Sequence, residues 1–295
     1  TRLAFLFVAG LVAATAAQTV ISPGILRLAT TTSTEDTGLL RAILPAFEKL
    51  CSCRVEVVAV GTGQALELGR RGDADVVLVH SYRDEVKFVA DRHARERADV
   101  MYNDFVVVGP ASDPAKVAGR RSARDAFSAI ASAQAPFASR GDKSGTHNAE
   151  LTAWASAKVT PSGAWYRALG QGMGETLIVA NEQRAYTMSD RGTWLSMRDR
   201  LPSLQMLVGG RTIAENPDSG LRNRYGVMAI SPDTHPGVNF AAAQKFVEWL
   251  TSKTTQRAIG EFGVKKYGQP LFYPDAGGGR RTEDRRQKIE DGIQK

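Results

Sequence analysis

Cysteine and histidine are scarce in this chain, with two of the former and four of the latter in 295 residues. Two cysteines are too few for a disulfide scaffold. No His/Cys cluster at metal-ligand spacing accompanies them, so neither a structural zinc nor any other cation site is expected. No histidine lies in a His-Glu-x-x-His helix, and no serine stands in a Gly-x-Ser-x-Gly elbow. Gly61-Thr62-Gly63 lacks the Gly-Lys-Ser/Thr of a nucleotide P-loop, which disfavours ATP. Aromatic residues make up only 7% of the chain, against a base-stacking nucleic-acid binder. The net charge of +7 shrinks to +4 on residues 18–279 once Arg2 and the basic surplus of the last sixteen residues are set aside. Nucleic-acid-binding domains cluster Lys and Arg on one face, so no nucleic-acid partner is expected. No apolar run reaches the ~20 residues that span a bilayer.

What is present fits a globular protein with a substantial core, at 43% hydrophobic and 23% charged residues. Arg2 precedes the apolar stretch Leu3 to Ala14, and Ala14-Thr15-Ala16-Ala17 reads as an export cleavage signal. A mature periplasmic protein is expected. Cys51 and Cys53 either pair locally or remain free thiols in a helix-to-strand turn; the sequence leaves both open. From Gly277 onward apolar residues almost vanish, as in a disordered tail.

Between these ends strands alternate with helices, which predicts an α/β fold with largely parallel sheets. Strands are read at 25–29, 55–60, 75–80, 100–110, 137–139, 185–188, 204–208 and 223–232. Helices are read from Leu39 through Phe47, with a kink at Pro45, and over 65–71, 122–133, 175–183, 192–200 and 240–259. Another helix follows the loop that begins at Arg140 and reaches Lys158. The segments 100–110 and 223–232 share one pattern: polar residues, an aromatic, apolar residues and a closing proline or Ser-Pro. They are read as two crossovers between lobes. The four tryptophans, Trp154, Trp165, Trp194 and Trp249, fall in helical patterns and are expected in the core.

Three turns stand after a strand and before a helix: Thr30-Thr31-Thr32-Ser33, Gly61-Thr62-Gly63, and Ser139-Arg140-Gly141-Asp142-Lys143-Ser144-Gly145-Thr146. In an open α/β sheet such turns gather at the carboxyl ends of the strands, where ligands bind. Helix N-termini there favour anions, hydroxyls add neutral donors, and Arg140 supplies a planar fork. Capping alone accounts for any one turn; three with an arginine point to a tetrahedral oxyanion. Ser144 and His147 would be the pair of a serine hydrolase, but no acid at a telling position orients the imidazole. His147 is expected to brace its own turn.

Thr30-Thr-Thr-Ser-Thr-Glu-Asp-Thr-Gly-Leu-Leu40 and Ser139-Arg-Gly-Asp-Lys-Ser-Gly-Thr-His-Asn-Ala-Glu150 together resemble the signature segments of the tungstate-binding periplasmic proteins of ABC transporters. Gly61-Thr-Gly-Gln-Ala-Leu66, Asp73 through His80, Met101 through Pro110 and Ala185 through Thr193 are similar to that family as well, so the likeness covers 25–275. It implies a two-lobe type II periplasmic-binding fold, each lobe a mostly parallel sheet flanked by helices, with two crossover strands as hinge. Residues 18–105 with 229–276 would form the first lobe and 106–228 the second, after a 1–17 signal and before a 277–295 tail. The resemblance implies a monomer that binds tungstate without a cofactor or turnover and delivers it to an ABC permease. Thr31, Thr32 and Ser33, with Thr62, would donate from the first lobe, and Arg140, Ser144, Gly145 and Thr146 from the second. Molybdate has nearly the same size and charge. Arg140-x-Asp142-x-Ser144-Gly145-Thr146 is also similar to the motif of phosphate-binding proteins, in which a carboxylate accepts the ligand's proton. With tungstate, Asp142 should turn away, bracing the loop or pairing with Lys143 or Arg140.

Overall fold

The computed structural model describes residues 24–277; the expected signal segment and nearly all of the expected tail lie outside them. In chain order the elements are β1 (Gly24–Thr31), α1 (Thr32–Asp36), α2 (Leu39–Cys51), β2 (Cys53–Val60), α3 (Thr62–Arg71), β3 (Val76–Val79), α4 (Tyr82–Ala90) and β4 (Ala98–Pro110). The chain continues through α5 (Ala123–Ala133), β5 (Phe137–Ser139), α6 (Gly145–Ser156), β6 (Tyr166–Ala168), α7 (Met173–Gln183), β7 (Thr187–Asp190), α8 (Arg191–Met197) and β8 (Leu204–Val208). It closes with β9 (Arg222–Ala229), α9 (Phe240–Leu250), α10 (Lys253–Glu261), α11 (Val264–Tyr267) and β10 (Tyr273–Pro274). Among the described residues no helix is long and apolar enough to cross a membrane.

Strands β2, β1 and β3 are parallel neighbours, Thr31 pairing with Val60 and Thr30 with Leu78. That register aligns three carboxyl ends, so α1, α3 and His80 begin side by side. β9 runs antiparallel between β3 and β4. The parallel core of the first lobe is thus extended by antiparallel strands, because the chain returns along the sheet it left.

β4 is the crossing strand. Its first half, Ala98 to Asp104, pairs with β9, and its second half, from Phe105, pairs with β7 and β8. β9 lies along the first-lobe sheet from Arg222 onward, ahead of the 228/229 boundary expected from sequence. The second lobe adds a short parallel pair, β5 with β6.

Apolar faces explain the layers. Leu39, Leu40, Ile43, Leu44 and Phe47 of α2 pack with Phe246 and Leu250 of α9 against Leu26, Leu28 and Leu78. Ala65, Leu66 and Phe88 of α3 and α4 cover Val77, Val79 and Met228 on the other side of the sheet. In the second lobe Phe127, Phe137 and Trp154 cluster, with Phe137 edge-to-face to both partners and Phe127 tilted against Trp154; edge-to-face is the geometry that aromatic quadrupoles favour.

Several readings are corrected. The helix expected over 240–259 is two helices, because the Ser252 hydroxyl accepts the Thr255 amide and restarts the chain as α10. α4 is a helix that the apolar pattern does not announce, since its buried face carries Glu85 beside Phe88. Trp154 and Trp194 are buried, whereas Trp249 is only partly so and Trp165 lies in a turn, half-buried against Trp154. Of the two states left open for Cys51 and Cys53, the structure has the local pair, a disulfide at the α2–β2 reversal.

Where β4 passes between lobes, Asp104 forms a fully buried ion pair with Arg191, Nε to Oδ1 at 2.7 Å and Nη2 to Oδ2 at 2.6 Å. Asn216 donates to the same carboxylate, and Arg191 also reaches the Gly209, Gly210 and Arg211 carbonyls. Removing one partner of such a pair leaves the other charge buried and uncompensated. Arg191→Met should therefore lower the unfolding free energy by ~3–5 kcal/mol in a denaturant titration. A loss below ~1 kcal/mol, the worth of a surface pair, would show that the pair does not anchor the crossing.

Candidate functional site

The site is built where helix N-termini of the two lobes face each other. Thr31 ends β1 and caps α1, its Oγ1 accepting the Thr34 amide at 3.2 Å and lying 2.6 Å from Thr34 Oγ1 and 3.1 Å from Ser33 Oγ. Thr30 is turned back into the sheet, its hydroxyl donating to the Leu78 carbonyl at 2.8 Å. Thr62 opens α3 beside it, and its Oγ1 is buried with no hydrogen-bond partner. Thr32 stands apart. Its side chain is exposed while Thr31 and Thr34 are buried.

The second lobe presents the Arg140–Thr146 loop. Gly141 sits at φ +64°, in the left-handed region that glycine adopts freely, and a Cβ there would press on Ala168. Lys143 shares that conformation, at φ +59°, and its amide donates to His147 Nδ1 at 2.9 Å. Ser144 caps α6, its Oγ accepting the His147 amide. The imidazole of His147 therefore braces the loop, as expected, and is turned to a backbone amide rather than to the Ser144 hydroxyl.

Arg140 is buried, with 5% of its surface exposed. Its Nε and Nη2 donate to Asp142 Oδ2 at 3.1 and 2.5 Å, while Nη1 lies 3.5 Å from Thr146 Oγ1. Of the partners considered for Asp142, the carboxylate takes Arg140, and Oδ1 accepts the Ser144 amide at 3.1 Å. Burial would raise its pKa, but the Ser144 hydrogen bonds and the Arg140 charge together hold it below the ordinary value.

Four contributors carry no sequence signal strong enough to select them. Thr34 lies inside the first hydroxyl-rich string. Asp190, wholly buried, caps α8 by accepting the Thr193 amide at 2.8 Å and the Thr193 hydroxyl at 2.7 Å, and burial raises its pKa. His80 follows β3 and stands at the same carboxyl edge as Thr31. Its Nδ1 is 3.0 Å from Asn223 Oδ1 and its Nε2 is 3.3 Å from Ser33 Oγ. Burial pushes its pKa down to about 4, the Arg140 charge adding to the effect. Asn223, on β9, in turn donates to Asn103 at 2.7 Å. His80 and Asn223 are far apart in sequence, so only the β3–β9 pairing joins them.

The lobes touch at this point. His80 packs against Gly145, and Thr37 lies against Gly192 of α8. Beside the contact a cavity of about 730 Å³ opens to solvent, lined from both lobes by His80, Arg83, Arg124, Gly145, Arg222 and Asn223 among others. Among the described residues no cluster of His, Cys, Asp and Glu could hold a metal ion.

Two α/β lobes joined by a crossing strand, with capped helix N-termini meeting between them, define a two-lobe solute-binding protein. A profile of the PBP superfamily domain matches residues 13–254. The tungstate-binding protein TupA of Peptoclostridium acidaminophilum is 47% identical over 255 residues, which cover 86% of this chain and 86% of that protein. The solved tungstate-binding protein TupA from Desulfovibrio alaskensis G20 is similar with a TM-score of 0.74 and 41% identity, over 86% of this chain and 99% of that one. The structure of the tungstate ABC transporter from Geobacter sulfurreducens gives a TM-score of 0.72 and 47% identity, over 81% and 98%. The chain belongs to the PBP superfamily, in the family of these tungstate-binding proteins.

The depressed His80 pKa has a stability consequence. Between the ordinary value of 6.5 and about 4 the unfolded chain binds a proton that the folded one refuses, so the His80 contribution is complete at neutral pH and lost as pH falls through that window. Glu85 and Glu150, raised by burial to about 7, act with the opposite sign, which makes a difference measurement necessary. The stability gap between the parent and His80→Gln should narrow as pH drops from 7 to 4.5 in chemical unfolding. A gap independent of pH would mean that His80 titrates normally in the fold.

Proposed function

We propose that this chain is the extracytoplasmic component of an ABC uptake system that captures tungstate between its lobes and hands it to a membrane permease. The observation that carries the reading is the kind of donors gathered at the interlobe contact: hydroxyls of Thr31, Ser33, Thr34 and Thr146, the buried unpartnered hydroxyl of Thr62, four helix N-termini, and one guanidinium. Mostly neutral donors around a single cation suit a dianion that carries no proton. In such a site Arg140 is the charged contact, Thr31, Ser33 and Thr62 donate from the first lobe, and Ser144, Gly145 and Thr146 act from the second. For Thr32 the backbone amide, rather than its exposed side chain, is the group available.

The alternatives divide on Asp142 and Ser144. A phosphate site needs a carboxylate free to accept the ligand's proton, and Asp142 is committed to Arg140 and to the Ser144 amide. A hydrolase needs Ser144 activated by His147, whose Nδ1 is taken by the Lys143 amide. Molybdate shares the size and charge of tungstate and is the second ligand this reading admits. The expectation of a monomer belongs to the same proposal.

Calorimetric titration with tungstate, molybdate, sulfate and phosphate is the test. Tungstate should bind one per chain. Sulfate should bind at least about a hundredfold more weakly, because a smaller anion leaves buried donors unpaired at ~1–3 kcal/mol each. Arg140→Ala should weaken tungstate by ~2–5 kcal/mol while the fold survives. Affinity should stay flat from about pH 6.5 to 8.5, since His80 is neutral throughout. Equal affinities for sulfate and tungstate, or an Arg140→Ala variant within about threefold of the parent, would sink the assignment.

A further inference from the structure

We propose that His80 is a positioning residue of the anion site: it fixes where the Ser33 hydroxyl stands and is the surface on which the second lobe seats through Gly145. This rests on the anion-binding function proposed for the cleft and adds to it a residue that acts through Ser33 and Gly145.

The hydrogen-bond directions follow one from another. Asn223 Nδ2 donates to Asn103 Oδ1 at 2.7 Å, so the Asn223 carbonyl oxygen faces His80 Nδ1 at 3.0 Å. Nδ1 therefore carries the hydrogen and Nε2 presents a lone pair. Ser33 Oγ, 3.3 Å away, has to donate into it. The one hydrogen of Ser33 is thereby held on His80, from which an incoming anion has to draw it, and the Ser33 oxygen accepts from Thr31, 3.1 Å off. A relay of neutral groups from Asn103 on β4 through Asn223 and His80 to Ser33 and Thr31 thus fixes where these two hydroxyl oxygens stand before an anion arrives.

The other edge of the same ring meets the second lobe. A Cβ on Gly145 would overlap His80 Cε1 and lie 2.8 Å from Nδ1. Gly145 does not have a positive φ, so it is the close approach that calls for glycine here. Gly145 is the first residue of α6, and the imidazole thus sets how near that N-terminus comes to Ser33. Tyr225 lies against the ring, tilted by 37° with centroids 4.8 Å apart, and limits its retreat.

The test pairs two substitutions. Tungstate affinity by calorimetry and thermal unfolding of the protein without added anion are measured for the parent, Gly145→Ala, His80→Ala and the double variant. Gly145→Ala should weaken tungstate about tenfold or more and lower the melting temperature in the parent, yet change affinity by less than about threefold and leave melting nearly unaltered in the His80→Ala background. In a second arm, His80→Gln, whose amide reaches the Nε2 position, should hold affinity within about fivefold, whereas His80→Asn, which keeps the Asn223 side alone, should lose about tenfold or more. A Gly145→Ala penalty equal with and without His80 overturns the seating, and His80→Asn matching His80→Gln overturns the placing of Ser33. If the parent binds none of the four anions, the proposed function fails, and the melting temperatures alone decide the seating, coupling supporting it and additivity overturning it.

Discussion

Arg140 is the cation against which the carboxylates of the cleft are balanced, and the remaining chemistry of the site follows from how little of its charge is left over. Its Nε and Nη2 are bound to Asp142, and its field favours the ionised forms of Asp36 and Asp190, whose pKa values burial otherwise raises. A dianion entering beside these groups cannot be held by charge alone. Its binding has to come from dipoles and hydroxyls fixed in advance, and the α/β topology supplies them. The parallel register of β2, β1 and β3 ends three strands at one edge, so α1 and α3 start there, and β4 carries the chain across to where α6 and α8 start opposite.

That arrangement also bears on selectivity. Donors without formal charge are costly to leave buried and unpaired, so a cleft that closes to a fixed separation discriminates by size. The separation is set by packing: Gly145 against His80 and Gly192 against Thr37. The Asp104–Arg191 pair holds the crossing strand at the point where one lobe gives way to the other.

Much of this was legible in the residues. The alternation of apolar strands with amphipathic helices gave the α/β class, and the hydroxyl- and glycine-rich turns marked Thr31, Ser33, Thr62, Arg140, Ser144, Gly145 and Thr146 as neighbours of helix N-termini. The rest needed contacts that local pattern does not carry. His80 and Asn223 meet only through strand pairing, and Asp190 reads as an ordinary helix cap until burial brings it near Arg140. α4 has no local signature because a buried Glu85, held by Arg97 and the Ser81 amide, breaks its apolar stripe. Thr32 shares the identity of its neighbours, but the turn into α1 leaves it facing solvent. The α9–α10 break rests on one capping serine within a continuous apolar period.

The most direct test of the whole account is a diffraction experiment on crystals grown with sodium tungstate, using tungsten's anomalous scattering to locate the anion. The account predicts a single strong anomalous peak enclosed between the N-termini of α1 and α3 on one side and α6 and α8 on the other, within hydrogen-bonding reach of Arg140 Nη1 through its oxygens. A peak confined to the outer arginines of the open cavity, with the space beside Arg140 empty, would contradict it.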